Sequence, residues 1–325
     1  MIEQLRAQAL NVWGDIHPTK IKPSTLDYLV QSRDHIVIFW FAKGNGSRHP
    51  VLISKIPRRK LFNYYLDRSI ELVDQLKAGL RSPVIETIPF RVHAGQVNQL
   101  SHMVMGLMPG EPLEIPGNGF WGRRSAERQI SAFLYWLVNF QSQALVSQQN
   151  LDWESYLAEH HSQATFAFLE GAQFQPVNGA ICKRLSPCTI PITWGYGDAH
   201  HSNILMRGDR ISGVIDWIGV EDQQWFHIDW YYFLFSYAIQ FFKKNSHHDP
   251  SHHIKLAVST TMGRSDHWLS DLFRAKTRQF LERNTIRPEL SPELFLTFLH
   301  HLHWPEDKAQ LLRDAYSIYS QSPSR

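Results

Sequence analysis

Two cysteines, Cys182 and Cys188, are all the thiols this chain of 325 residues has. They lie six positions apart in a proline-containing stretch, without a CxxC spacing or a nearby histidine pattern. A disulfide scaffold and a structural zinc site are therefore not expected. Long apolar runs are missing as well. The most apolar window, residues 230–242, is 13 residues long and includes Ser236 and Gln240, whereas a spanning helix needs about 18 or more apolar residues. A buried helix is the expectation there. The first 16 residues carry acids and polar groups where a signal peptide has an apolar core, so the expected setting is the cytoplasm, away from membranes. Charge of one sign is also scarce, with 33 Lys and Arg against 30 Asp and Glu and a net charge of +3 when the 18 His are neutral. Without a basic run to neutralise phosphates, no nucleic-acid partner is expected.

What is present is a foldable chain with 43% hydrophobic residues, enough to bury a sizeable core. No repeat of 20 to 50 residues and no low-complexity segment occurs, which excludes a solenoid or propeller. The runs at 35–42 and 50–56 are β-branched and aromatic, and the Lys43-Gly44-Asn45-Gly46-Ser47-Arg48 segment between them predicts a β-hairpin. A helical period follows over 66–80, and two further strands are expected at 84–92 and 98–107. The turn-forming cluster Met108-Pro109-Gly110-Glu111-Pro112 is the candidate hinge. Beyond it, helices are expected at 124–146, 153–170, 227–242, 254–262, 266–283, 292–303 and 306–319. Short strand-like runs at 190–194, 203–206 and 211–215 interrupt them. The expected fold class is thus α+β, with an N-terminal antiparallel sheet plus helix (residues 1–108) and a larger, mainly helical C-terminal lobe (109–325).

The chemistry concentrates around that small β element. The loop entering it reads Gly195-Tyr196-Gly197-Asp198-Ala199-His200-His201-Ser202-Asn203, and the hairpin after it ends in Gly213-Val214-Ile215-Asp216-Trp217. Phosphoryl transfer from a nucleotide needs such a set: one carboxylate to orient or accept the hydroxyl proton, and oxygen ligands to hold Mg²⁺ on the triphosphate. The null for each residue alone is turn chemistry, since Asp and Asn favour loops. The joint spacing resembles the aminoglycoside phosphotransferase and choline kinase-like family of the protein-kinase-like fold. Its pattern is His-Gly-Asp, four residues, Asn, a short hairpin, then Ile-Asp-Trp. By that resemblance Asp198 is the catalytic aspartate, and Asn203 and Asp216 are the metal ligands. Tyr196 departs from the pattern, standing where the family usually has a mainly structural His. Asp229, in His227-Ile228-Asp229-Trp230, resembles the aspartate that opens the following helix and braces the catalytic loop from below.

The resemblance extends to the N-terminal part. It implies that Lys55 pairs with the nucleotide phosphates under the loop carrying Gly44 and Gly46, and that Glu71, 16 residues on, fixes this lysine. It also implies an adenine-binding hinge, with backbone groups near Gly106 to Met108, Leu107 among them, at the adenine edge and Met105 at the back of the pocket. The implied activity is ATP-dependent, or GTP-dependent, transfer of the γ-phosphate to a hydroxyl of a small molecule with Mg²⁺. From residue 241 onward there are 12 Lys and Arg against 9 Asp and Glu, which disfavours a polycationic acceptor and favours a sugar, amino alcohol or glycoconjugate precursor. Two alternatives stand beside this reading: a catalytically silent nucleotide-binding scaffold, and an aminoglycoside-modifying kinase. Eight of the 18 histidines lie beyond residue 240. Hydrogen-bonded or solvated imidazoles are the expectation for them, rather than a zinc site. Trp217, Trp225 or Trp230 could line an acceptor pocket.

Overall fold

The computed structural model describes residues 2–16, 26–32, 35–42, 50–150, 175–247, 249–302 and 308–321. It is α+β, as expected, and divides into two compact units. The first comprises Met1–Glu111 with Leu205–Arg207 and Ile211–Val220; the second comprises Pro112–Ile204 with Gly208–Arg210 and Glu221–Arg325. Neither unit is continuous in sequence, because the hairpin after the Asp198 loop contributes residues to both. Among the described residues, no helix is long and apolar enough to cross a membrane.

The first unit opens with helix α1 (Ile2–Ile16), then strands β1 (Leu26–Ser32), β2 (His35–Ala42) and β3 (Leu52–Pro57), helix α2 (Asn63–Gly79), and strands β4 (Arg91–Val97) and β5 (Leu100–Gly106). The five strands form one antiparallel sheet in the order β1-β2-β3-β5-β4. Alternation along β2 and β3 sends Ile38, Trp40, Leu52 and Ile56 to one face, where they meet Leu5 and Ala9 of α1 and Val104 of β5 in a closed core. Ser54 lies on the same face and accepts a 2.7 Å hydrogen bond from the Trp40 indole, so the buried N–H is satisfied. Lys55, one residue on, faces the other way. The expected hairpin of 35–42 and 50–56 and the helix over 66–80 are present. Two elements differ from expectation. Helix α1 and strand β1 precede the hairpin, and 84–92 is not a strand: a 3-10 turn at Ile85–Thr87 precedes β4. The Thr87 hydroxyl donates to the Val84 carbonyl at 2.6 Å, closing a turn that buries Val84 and Ile88 without extending the chain.

The second unit is mainly helical. After the two-residue strand β6 (Glu111–Pro112) come α3 (Phe120–Gln143), β7 (Leu145–Asn150), α4 (Gln175–Leu185) and β8 (Thr189–Gly195). The hairpin strands β9 (Ile204–Arg207) and β10 (Arg210–Val214) follow, then β11 (Glu221–Trp225), and finally α5 (His227–Asn245), α6 (Pro250–Thr261), α7 (Trp268–Arg283), α8 (Ser291–His301) and α9 (Lys308–Ser320). The expected helix over 153–170 lies outside the described residues. The sheets order β11-β8-β7 and β10-β9-β6. Helix α5, the apolar window that is too short to span a bilayer, is buried on nearly every face. Its Trp230 and Phe233 stack on Phe133 of α3, the latter with ring centroids 4.0 Å apart. On the other side the Trp230 indole donates to Thr277 of α7 at 3.0 Å. Burying each such ring stabilises the unit by about 1.5–3 kcal/mol. This rigid helix carries Asp229 at its start.

One glycine in the first unit is required by position. Gly110 has φ 110°, and a Cβ there would stand 2.2 Å from the Ser212 hydroxyl and 2.7 Å from the Met206 carbonyl. The expected hinge cluster thus runs close under the β9–β10 hairpin, where the Ser212 hydroxyl also donates to the Pro109 carbonyl at 2.6 Å.

Candidate active site

In the second unit, β8 ends at Gly195 and the chain turns sharply at Gly197, whose φ of 82° lies in the left-handed region open to glycine. The turn is clamped from beneath. The Asp229 carboxylate accepts the Tyr196 N–H at Oδ2 (2.7 Å) and the Gly197 N–H at Oδ1 (2.9 Å). Tyr196 itself is fully buried, so the aromatic side chain in place of the family histidine serves packing. Burial raises the Asp229 pKa to about 6, against the two backbone bonds, which favour the carboxylate. The loop continues as a tight 3-10 turn, with the Asn203 N–H donating to the His200 carbonyl at 2.9 Å. This brings the Asn203 amide back to Asp198, where Nδ2 donates to Oδ2 at 2.8 Å. Asn203 Oδ1 is left as an open oxygen donor.

Asp198 also has Tyr232 as a neighbour, one that the sequence did not reveal. Burial first, then the Asp198 charge, push the Tyr232 pKa far up, so the phenol keeps its proton. The only signal available was helical spacing. Tyr232 lies three residues after Asp229 on α5, hence on the same helix face as the residue that clamps the loop.

In the first unit, Lys55 Nζ pairs with Asp216 Oδ1 at 2.6 Å. The strand register puts Lys55 opposite Val37 and Met103, which leaves its side chain 9% exposed, while that of Asp216 is 40% exposed. Asp216 sits just beyond β10 at φ 64°, ψ 59°, a left-handed conformation that Asp tolerates better than most residues. The Trp217 indole, donating to the Val214 carbonyl at 2.7 Å, fastens this turn. The expected Lys55–Glu71 pair is not formed. The buried face of α2 is Leu66, Ser69, Leu72 and Leu76, and Glu71 falls on its exposed side, so the lysine takes the nearer Asp216. At the expected hinge, the Gly106 N–H is spent on the Phe90 carbonyl at 3.1 Å. The Leu107 side chain is exposed, while Met105 is half-buried in β5. Gly44 and Gly46 lie outside the described residues.

Mg²⁺ is a hard cation that takes oxygen ligands, and each unit offers a group of that kind. In the second, Asn203 commits its Nδ2 to Asp198, which leaves Oδ1 outside that bond; in the first, Asp216 meets Lys55 through Oδ1. The histidines are placed otherwise. His227 is wholly buried, bonds through Nε2 to the Thr297 hydroxyl at 2.7 Å, and has its pKa lowered by burial to about 3. His253 and His300 bond Ser246 and Tyr316 at 2.9 and 3.0 Å.

The second unit also contains a cavity of about 540 Å³. Its wall includes His201 and Ser202 of the Asp198 loop, Leu113 and Ile115 from the segment after β6, and Gln240, Lys243 and Lys244 near the end of α5. Burial, and next the Lys243 charge, lower the pKa of the neighbouring His200. Of the tryptophans expected near an acceptor, Trp217 and Trp230 are buried.

No curated protein matches the sequence. Among solved structures, an aminoglycoside phosphotransferase APH(2'')-Ib with ADP bound is 16% identical, with a TM-score of 0.48 over 95% of this chain and 96% of that one. The amicoumacin kinase hAmiN is 12% identical, with a TM-score of 0.44 over 99% and 97%. Macrolide 2'-phosphotransferase MphH from Brachybacterium faecium is 15% identical, with a TM-score of 0.41 over 98% and 100%. The family model matches residues 51–222, just over half of the chain, and that span holds Lys55, Asp198, Asn203 and Asp216. With those residues inside the match, the chain belongs to the phosphotransferase enzyme family.

Proposed function

We propose that this enzyme moves the γ-phosphate of ATP, or GTP, to a hydroxyl of a small metabolite: a sugar, an amino alcohol or a glycoconjugate precursor. The observation that carries the reading is the Asp198 loop, where a buried Asp229 fixes the backbone while the Asn203 amide holds the Asp198 carboxylate. A carboxylate held this way is positioned before the acceptor arrives, which is how an oriented base lowers a barrier. Asp198 takes the proton of the acceptor hydroxyl as that oxygen attacks the γ-phosphorus, and the bond from the γ-phosphorus to the β-phosphate oxygen breaks to release the nucleoside diphosphate. Asn203 Oδ1 and the Asp216 carboxylate would hold Mg²⁺, whose charge would offset that on the transferring phosphate. Lys55, released from Asp216, pairs with the remaining phosphates. Residues 1–108 serve as the nucleotide-binding lobe, with Met105 and Leu107 at the adenine and Gly44 and Gly46 as further nucleotide-binding residues. Residues 109–325 carry the acceptor and the base. Glu71 has no part in this set.

The mild cationic balance beyond residue 240 supports a neutral or anionic acceptor over a polycationic one. The test is ATP-dependent phosphorylation of a metabolite panel by the wild-type chain and by Asp198→Ala. The variant is expected to lose about 10²–10⁴-fold in turnover while keeping its thermal shift with nucleotide. Wild-type turnover in the variant refutes the base, and activity confined to aminoglycosides refutes the acceptor class.

A further inference from the structure

We infer that the cavity along the Asp198 loop binds an anionic group of the acceptor, a carboxylate or a phosphate, with Lys243 as its counter-charge; the inference rests on the phosphotransferase reading and narrows its substrate. A volume of about 540 Å³ falls in the range of small-molecule sites, roughly 300–1,000 Å³. The buried side chains of Leu113 and Ile115 give it an apolar floor. Its charges do not cancel. Lys244 Nζ donates to the Ile115 carbonyl at 2.5 Å and pairs with Glu114 at 3.3 Å, so the one carboxylate of the lining is already answered. Lys243 makes no ion pair among the described residues, and its charge is felt at the His200 imidazole of the loop.

Gln240 stands one helical turn before Lys243 on the same face of α5. Both line the same cavity, where the Lys243 ammonium and the Gln240 amide can each donate. Such a pair suits an anion through charge-assisted hydrogen bonds and repels a cationic acceptor. Lysines in a last helical turn also stabilise the helix end. Lys244, bonded to Ile115, holds its own position, and Lys243 is the one left facing the cavity. Because His201 and Ser202 belong both to the wall and to the turn between Asp198 and Asn203, an acceptor anchored here lies along the loop that carries the base.

The experiment uses four probes on one ring: glucose, glucosamine, glucuronate and glucose 6-phosphate. Initial rates with Mg²⁺ and ATP are paired with calorimetric binding without nucleotide, for the wild-type chain and for Lys243→Gln and Lys243→Arg. An anionic probe is expected to show a KM and Kd at least about tenfold below those of glucose. Lys243→Gln should raise both about tenfold with kcat within about twofold, and Lys243→Arg should restore them. Which of glucuronate and glucose 6-phosphate leads identifies the carboxylate or the phosphate. Preference for glucose or glucosamine, or no Lys243-dependent binding of either anion, overturns the inference. Turnover of a neutral acceptor indifferent to Lys243 does so while leaving the phosphotransferase reading intact. Lys243-dependent anion binding without turnover of any probe keeps the anion site and refutes the transfer reaction.

Discussion

The polar centres of the two units are built differently. In the first unit, Lys55 and Asp216 meet in one ion pair, with the carboxylate side chain 40% exposed. In the second, Asp229 is 1% exposed and spends both oxygens on backbone N–H groups, while Asp198 is held by Asn203. In the first unit the lysine is buried but its partner carboxylate is open to water, which screens the contact and lets the carboxylate exchange partners. A buried, doubly bonded carboxylate is costly to disturb because each lost bond strands a polar group. The difference separates two tasks. In the proposed function, the lysine and aspartate of the first unit let go of each other to take phosphate and metal, whereas the Asp198 loop is already in place.

That contrast can be broken most directly at Asp229. In Asp229→Asn, one oxygen remains to accept two N–H groups, and the amide brings a donor to a site that has only donors. The expected result is a loss of stability of about 1–3 kcal/mol in urea unfolding, together with a fall in kcat of at least about 10²-fold, the effect of misplacing the loop by about 1 Å. The pH dependence follows from the raised pKa. The carboxyl titrates near 3.8 in an unfolded chain and at about 6 in the folded one, so folding takes up a proton between these values. Its contribution therefore favours the folded state at low pH and is lost as pH rises through about 6. Stability curves of the wild type and Asp229→Asn should diverge across that window, and parallel curves would mean that Asp229 does not titrate there.

Lys55→Met tests the other half. It should lower turnover by about 10²-fold, as for removal of one group that stabilises transition-state charge, yet change unfolding free energy by no more than about 1 kcal/mol. A large stability loss would show that the Lys55–Asp216 pair is structural and would erase the contrast. The smallest effect is expected at Tyr232→Phe. Removing the phenol hydroxyl beside Asp198 should cost about tenfold in kcat and leave the KM for nucleotide unchanged. A matching rise in the nucleotide KM would place Tyr232 in binding rather than in orienting the base.

The fold and the catalytic loop were legible in the sequence to different depths. Strong periodic or alternating patterns identified β2, β3, α2 and α5, because their burial on one face or all round leaves a direct imprint on residue choice. Helix α1 and strand β1 were missed, since their apolar positions gain meaning only once Leu5 and Ala9 pack on Trp40. Residues 84–92 looked like a strand because Val84 and Ile88 are buried, but burial came from a closed turn. At the site, Asp198, Asn203 and Asp216 stood out through fixed spacing within one loop and one hairpin. Glu71 misled, because its place on the exposed side of α2 depends on which helix face packs inward.

The sequence alone determined the local chemistry: an acid, an amide and a second acid at set intervals, and a lysine on a strand after a glycine-containing segment. Such spacing is written into a short stretch of chain, where the turn itself sets which groups can meet. Only the tertiary structure decided the neighbours across long separations: Asp216 rather than Glu71 for Lys55, Tyr232 beside Asp198, and an unanswered Lys243 at the cavity wall. Those contacts depend on which faces are buried and which charges are already neutralised, and both are settled by packing.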